Sequence, residues 1–185
     1  DDGNTYCFSC QAFTKGNDNT QFININVPQF KGSAQRLKKR GISEATCEHY
    51  QVYRDGDLLR FPYFSSDKSL RGFKTKNKLK EFKYEGTTTD TLFGQHLISS
   101  TGKSIIVYEG ELDALSGWEA YPNWPHVSLP HGAGSAKKDI QKQLQLFQGY
   151  KEVVLFFDKD KPGKEATEEV AALLPSGTVK IAHLP

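Results

Sequence analysis

Two apolar runs in this chain of 185 residues end directly in acids. Ile105-Ile106-Val107-Tyr108 leads into Glu109-Gly110-Glu111-Leu112-Asp113. About fifty residues later, Val153-Val154-Leu155-Phe156-Phe157 leads into Asp158-Lys159-Asp160. If both runs are neighbouring parallel strands, their C-terminal tips stand side by side, where α/β sheets carry their functional groups. Carboxylates gathered at one sheet edge repel one another unless a cation sits among them. Hard oxygen ligands of this kind suit Mg²⁺ or Mn²⁺. Two simpler readings apply to part of the set. Glu111 and Asp113 are also the acids that the first turn of a helix favours, and Asp160, ahead of Pro162-Gly163, reads equally as a helix-start residue.

Cations complement these acids. The net charge is +2, but Lys31 to Tyr84 holds fourteen Lys and Arg against six Asp and Glu. A basic segment beside an acidic cluster suits a polyanion held near a metal ion, and a solvated lysine-rich face is the plain alternative. Within it, Gly72-Phe73-Lys74-Thr75-Lys76-Asn77-Lys78-Leu79-Lys80 sets lysine at every second position. Phe61, Tyr63, Phe64 and Phe73 lie among these cations and read first as core, with stacking on bases as the alternative. His131-Gly132-Ala133-Gly134-Ser135 is a glycine-rich turn whose N–H groups could bind an anion.

Three cysteines make a poor disulfide framework and point to a reducing compartment. Cys7 and Cys10 form a C-x-x-C, the shape of half a zinc site that needs two further ligands. Cys47 and His49 have an unusual spacing for that role, so the missing half is expected upstream of Asp1. The chain contains no methionine, which also suggests a piece of something longer.

The elements that must position these groups follow from periodicity. Ser33 predicts a cap for a short helix over 34–39, and Ser43 a cap for a second helix with Glu44 in its first turn. Residues 51–84 alternate like antiparallel strands, with an Asp55-Gly56 hairpin. From Lys103 the order is strand 105–108, helix 111–121, strand 126–129, helix 135–147, strand 153–157, helix 163–174 and strand 178–182. That alternation is the signature of a parallel sheet covered by helices. The hydrophobic fraction of 37% and mean hydropathy of −0.58 describe a globular domain with enough apolar mass for a core. No apolar run approaches the ~20 residues of a membrane helix, and no leader opens the chain, so neither a membrane partner nor export is expected. No phosphate-binding P-loop and no nucleophile elbow is present.

An apolar strand followed by E-G-E-x-D, then another followed by D-x-D, resembles the topoisomerase–primase (Toprim) fold. Arg40-Gly41-Ile42-Ser43, Leu92-Phe93-Gly94-Gln95-His96-Leu97, Leu129-Pro130-His131-Gly132-Ala133 and Phe157-Asp158-Lys159-Asp160-Lys161-Pro162-Gly163 are similar to the primase half of the short-tailed-phage (T-seven-type) primase–helicases. The resemblance covers essentially the whole chain. It implies an α/β fold: a Toprim-type parallel sheet covered by helices over 103–185, truncated at its end. A small basic α+β subdomain of the RNA polymerase domain over 33–102 would precede it, after a linker over 17–32 and the remnant of an N-terminal zinc-binding domain over 1–16.

By the same resemblance the activity is nucleotidyl transfer: short RNA primers made from ribonucleoside triphosphates on single-stranded DNA, with Mg²⁺ or Mn²⁺. Glu109 is then the central carboxylate, metal ligand or base, Asp158 and Asp160 bind metal, and Glu111 and Asp113 support them. Lys74 and Lys80 match the triphosphate-contacting lysines, with Lys76, Lys78 and Lys83 open to the same role. His131 and Gly132 would lie near the nucleotide, and Lys38, Lys39, Arg40 and Lys83 on the DNA. Cys7 and Cys10 would hold Zn²⁺ in the parent protein. The implied partners are a helicase domain in the same parent chain and a replicative DNA polymerase, and the implied location is the cytoplasm of a bacterial host. Two other classes fit parts of the sequence: a phosphodiester-cleaving Toprim enzyme, and a non-catalytic single-strand-binding module.

Overall fold

Continuous apolar runs require a strand buried on both faces, and the computed structural model places them so. It describes residues 5–6, 13–14, 28–87 and 90–183. Its central sheet is parallel, built from β7 (Gly102–Tyr108), β8 (His126–Ser128), β9 (Tyr150–Phe156) and β10 (Val179–Ile181), in the order β10-β9-β7-β8. Side chains alternate across β7. Ile105 and Val107 enter a core with Ile140 of α3 (Ala136–Gln141), Phe147 of α4 (Leu144–Gln148) and Val170 of α5 (Lys161–Ala171). Ile106 and Tyr108 enter a second core with Ala114 and Leu115 of α2 (Glu111–Ala120). That second core also holds Phe61, Tyr63 and Phe93 from the N-terminal half.

The N-terminal half is an antiparallel sheet in the order β3-β4-β5-β6: Tyr53–Asp55, Leu58–Phe64, Leu70–Lys76 and Phe82–Gly86. Gly56, with φ of 56°, makes the tight β3–β4 turn in a conformation that β-branched residues resist. Ahead of this sheet, α1 (Glu44–His49) is capped by Ser43, whose Oγ accepts from the Thr46 N–H at 3.2 Å. Glu119, near the end of α2, accepts from the Ser43 N–H at 2.9 Å, from the Ser43 hydroxyl at 2.8 Å and from the Thr46 hydroxyl. The two halves are therefore tied at this corner as well as through their shared core. Near the start of the chain, β1 (Thr5–Tyr6) pairs antiparallel with β2 (Phe13–Thr14). Cys7 and Cys10 lie outside the described residues. Phe30, in the stretch expected as linker, stands edge-on to Tyr53 and Phe73 at 5.4 and 5.2 Å.

Two expected helices differ. The segment 34–39 is not a helix: Ser33 exchanges backbone hydrogen bonds with Arg54, and the Leu37 N–H bonds to the Ile42 carbonyl. Only Lys38–Arg40 curls, as a 3-10 turn. There the backbone pairing of Ser33 with Arg54, on the first strand of the N-terminal sheet, prevails over a helix. The helix expected over 135–147 is broken into α3 and α4 at Gln143. The buried Gln143 side chain is drawn to the Asp90 carbonyl and to the Gln95 amide, whose Nε2 donates at 2.8 Å. Cys47 is fully buried in the second core, where desolvation raises its thiol to about 11, and its side chain serves as packing there. Among the described residues no helix is long and apolar enough to cross a membrane.

Candidate active site

From β7 the chain goes to β8 on one side and then returns to β9 on the other. The strand order therefore reverses between β7 and β9, and a crevice opens at their C-terminal ends. Tyr108 of β7 pairs in register with Phe156 of β9, so the residues just beyond them project into that crevice. Glu109 and Asp158 are brought together there: the Glu109 carboxylate accepts the Asp158 N–H at 3.3 Å. Burial pushes the Glu109 carboxyl above its ordinary range, and the charges of Asp158 and Asp160 push it further. Asp158 and Asp160 are exposed. Asp160 is also the cap of α5, accepting the Gly163 N–H at 2.9 Å. The helix-start reading of that residue is the one the geometry shows.

The other acids of the cluster point to cations of the N-terminal half. Glu111, the first residue of α2, is buried between Lys74 and Tyr63, whose Nζ and hydroxyl both donate to its Oε1 at 2.7 Å. Lys74 is itself buried and donates a second hydrogen bond to the Pro130 carbonyl at 2.8 Å. Tyr84 donates to the same carbonyl at 2.9 Å. Asp113 meets Arg40 at 3.4 Å. Burial lifts the Asp113 carboxyl, and Arg40 draws it partly back. Beyond β8, the exposed His131 contacts Asp139 at 3.0 Å, and Gly132 follows with φ of 70°.

Of the lysines, only Lys74 among Lys74, Lys76, Lys80 and Lys83 is buried. Lys76 is half-buried, Lys80 sits on the exposed β5–β6 turn with φ of 65°, and Lys83 is exposed on β6. Lys38, Lys39 and Arg40, with Arg36, Arg54, Lys76 and Lys78, line an open groove of about 390 Å³ whose floor includes Leu112 beside the acids. Sequence reasoning missed Tyr63 as a partner of Glu111, the Pro130 carbonyl, and Asp139 behind His131. No local signal marks them, because each contact joins distant positions or depends on backbone course. Among the described residues no group of three or more His, Cys, Asp or Glu is gathered into a formed metal cage. The donors Glu109 and Asp158 nevertheless fit a hard divalent cation: both are carboxylates, and they meet at the tips of neighbouring strands, where the Glu109 carboxylate accepts the Asp158 N–H.

Gly163 fixes the second strand tip. A Cβ on it would lie 2.2 Å from the Asp158 carbonyl oxygen. Gly163→Ala therefore has to push α5 away from the tip. We expect it to cost about 1–3 kcal/mol, as overpacking does, and to lower catalytic rate more than a surface alanine. Thermal melting and turnover, compared with an exposed control such as Lys164→Ala, check both.

Comparison with known proteins agrees with this architecture. A family model described as Toprim-like matches residues 106–185. The DNA helicase/primase of Enterobacteria phage T3 is 34% identical over 206 aligned positions, covering 100% of this chain and 36% of that protein. The chain thus spans about a third of the length of the curated relative it matches. The crystal structure of the primase fragment of the bacteriophage T7 primase-helicase superposes with a TM-score of 0.80 at 33% identity, covering 100% of this chain and 83% of that one. A structure of bacteriophage T7 lagging-strand DNA polymerase interacting with primase domains of two gp4 subunits, bound to an RNA/DNA hybrid and dTTP, matches with a TM-score of 0.76 at 37% identity. That match covers 84% of this chain and 81% of that one.

Proposed function

This chain belongs to the primase family of the phage primase–helicases, and from that membership we propose that it joins ribonucleoside triphosphates into short RNA primers on a single-stranded DNA template. The observation that carries the reading is the pairing of Glu109 with Asp158 at the β7/β9 switch, beside the buried Lys74.

A bound divalent ion supplies charge neutralisation on the phosphates and lowers the pKa of the attacking hydroxyl. Glu109 and Asp158 would hold it, with Asp160 and Asp113 adding negative charge nearby. The lifted Glu109 carboxyl is also a better base toward a 3′-hydroxyl than an ordinary glutamate. Glu111 acts through Lys74: the pair fixes the ammonium at one place. An ammonium has three N–H donors. Two of those on Lys74 go to Glu111 and Pro130, and the third, on an ammonium that also faces the Phe82 ring, is the one a phosphate oxygen would take. Lys76, Lys80, His131 and Gly132 would complete the nucleotide contacts, and Cys7 and Cys10 would serve a zinc site in the parent protein. The parent would work in the bacterial host cytoplasm, with a helicase domain in the same chain and a replicative polymerase as receiver of the primer.

The groove lined by Arg36, Lys38, Lys39 and Arg40 supports a template path running toward the acids. Each single-strand phosphate neutralised contributes about −0.7 to the slope of log affinity against log salt. Lys38→Ala with Lys39→Ala is expected to flatten that slope by roughly 1.4 and to weaken binding alike for all template sequences, as titration of a labelled oligonucleotide at several salt concentrations would show.

The functional reading is tested by incubating the protein with single-stranded template, labelled ribonucleotides and Mg²⁺ or Mn²⁺. Template-dependent oligomers support it. Plasmid nicking without oligomers would instead identify a cleaving enzyme. Salt-sensitive DNA binding alone, indifferent to Glu109 and Asp158, would identify a binding module.

A further inference from the structure

The edge strand β6 carries two aromatic side chains on the face that looks toward the acids. Tyr84 lies opposite Lys74, and Phe82 lies opposite Lys76, in the antiparallel register with β5. Residues directly opposite share one face of a sheet, so Lys74, Lys76, Phe82 and Tyr84 form a single patch. Tyr84 is anchored through its hydroxyl to the Pro130 carbonyl. Phe82 has no such anchor and is 47% exposed. The Nζ atoms of Lys74 and Lys76 stand 4.9 and 5.2 Å from its ring centroid. Both lysines project from β5, the strand paired with β6, and about half of the Phe82 side chain stays open to solvent beside them.

A flat apolar ring beside two ammonium groups matches the two ends of a nucleotide. The ring suits the π-face of a base, and the ammoniums suit its phosphates. Shielding of the lysine stems alone explains the cation contacts but not a half-exposed phenyl on the wall of a phosphate-handling site. We infer that Phe82 is the stacking platform for a nucleobase at this site. The inference rests on the primase reading for the identity of the ligand. The base belongs either to the ribonucleotide or to the template strand, and one set of variants separates them.

Phe82→Leu keeps apolar bulk and removes the π-face, while Phe82→Trp keeps the π-face. Stacking on one aromatic side chain is worth roughly 5- to 150-fold in binding. Phe82→Leu is expected to raise either the KM for ATP or the apparent Kd of a single-stranded oligonucleotide by about that factor. The limiting rate at saturation should stay within about twofold, and Phe82→Trp should restore binding. A rise confined to the KM for ATP assigns the platform to the ribonucleotide; a rise confined to the oligonucleotide assigns it to the template. The chain has two native tryptophans, so extra quenching in Phe82→Trp over the unaltered protein reports stacking without any catalysis. ATP and oligonucleotide are added separately for this purpose. If Phe82→Leu leaves both constants within twofold and Phe82→Trp shows no added quenching with either probe, the platform does not exist. An unaltered protein that makes no oligomer would defeat the primase reading instead, and the quenching measurement would still decide the platform.

Discussion

Glu109→Gln is expected to abolish oligomer synthesis, by about 10³-fold or more on the scale of lost electrostatic stabilisation at a phosphoryl centre, while the protein stays folded and melts at a higher temperature. The first effect follows from removing the charge at the tip of β7, where it meets the Asp158 N–H. The second follows from the direction of its titration. Burial, Asp158 and Asp160 raise the Glu109 carboxyl above its ordinary 4.5. The folded state therefore binds that proton more tightly than the unfolded chain does. Its contribution to stability is complete below the unfolded value and is lost as pH rises through the folded one. At neutral pH the ionised carboxylate works against the fold, and the neutral, isosteric glutamine relieves it.

Melting curves recorded with chelator should therefore separate the two proteins at pH 7 and converge as pH falls below about 4. Added Mg²⁺ should raise the melting temperature of the unaltered protein by mass action and leave Glu109→Gln nearly unmoved. Oligomer yield within tenfold of the unaltered protein would remove Glu109 from the centre of the reaction.

Lys74→Met has the largest expected effect on stability. Lys74 and Glu111 have side chains only 10% and 5% exposed. Taking away one member leaves the other carrying an uncompensated buried charge, which costs about 3–5 kcal/mol. For a chain of this size that corresponds to a fall of roughly 10 °C or more in melting temperature. Tyr63 remains as a hydrogen-bond donor to Glu111 and softens the loss without replacing the charge. Adding Glu111→Gln to Lys74→Met should recover most of the stability, because no charge is then buried. Primer synthesis should not return, since the ammonium beside Pro130 is gone. A double-mutant cycle by urea unfolding measures the coupling directly. A Lys74→Met protein that melts within two degrees of the unaltered one would show that the ion pair does not hold the halves together.

The order of strands and helices from Lys103 onward was legible in the sequence because it is written in local period. Apolar runs marked β7 and β9, and three- and four-residue spacing marked α2 and α5. The failures came where tertiary contacts overrode that period. At 34–39 pairing with Arg54 replaced a helix, and at Gln143 a buried amide bent one helix into two. The lysine ladder from Lys74 to Lys80 reads as one strand face, but only Lys74 and Lys76 lie on β5, Lys80 is on the turn, and the alternation does not say which face the two take. A one-residue slip in register exchanges the two sides of a strand, and nothing local to the ladder sets its register.

The amino-acid order by itself determined the acids at two strand ends, the basic character of the preceding segment and the family, because these are properties of neighbouring residues. Tertiary structure alone decided their partners: Lys74 and Tyr63 for Glu111, across 37 and 48 positions, and Arg40 for Asp113, across 73. It also decided that Phe82 stays half in solvent beside two lysines while Phe61, Tyr63 and Phe73 are buried. Pairings over such separations are selected by the packing of two sheets against a shared core, which brings together side chains that have no local reason to meet.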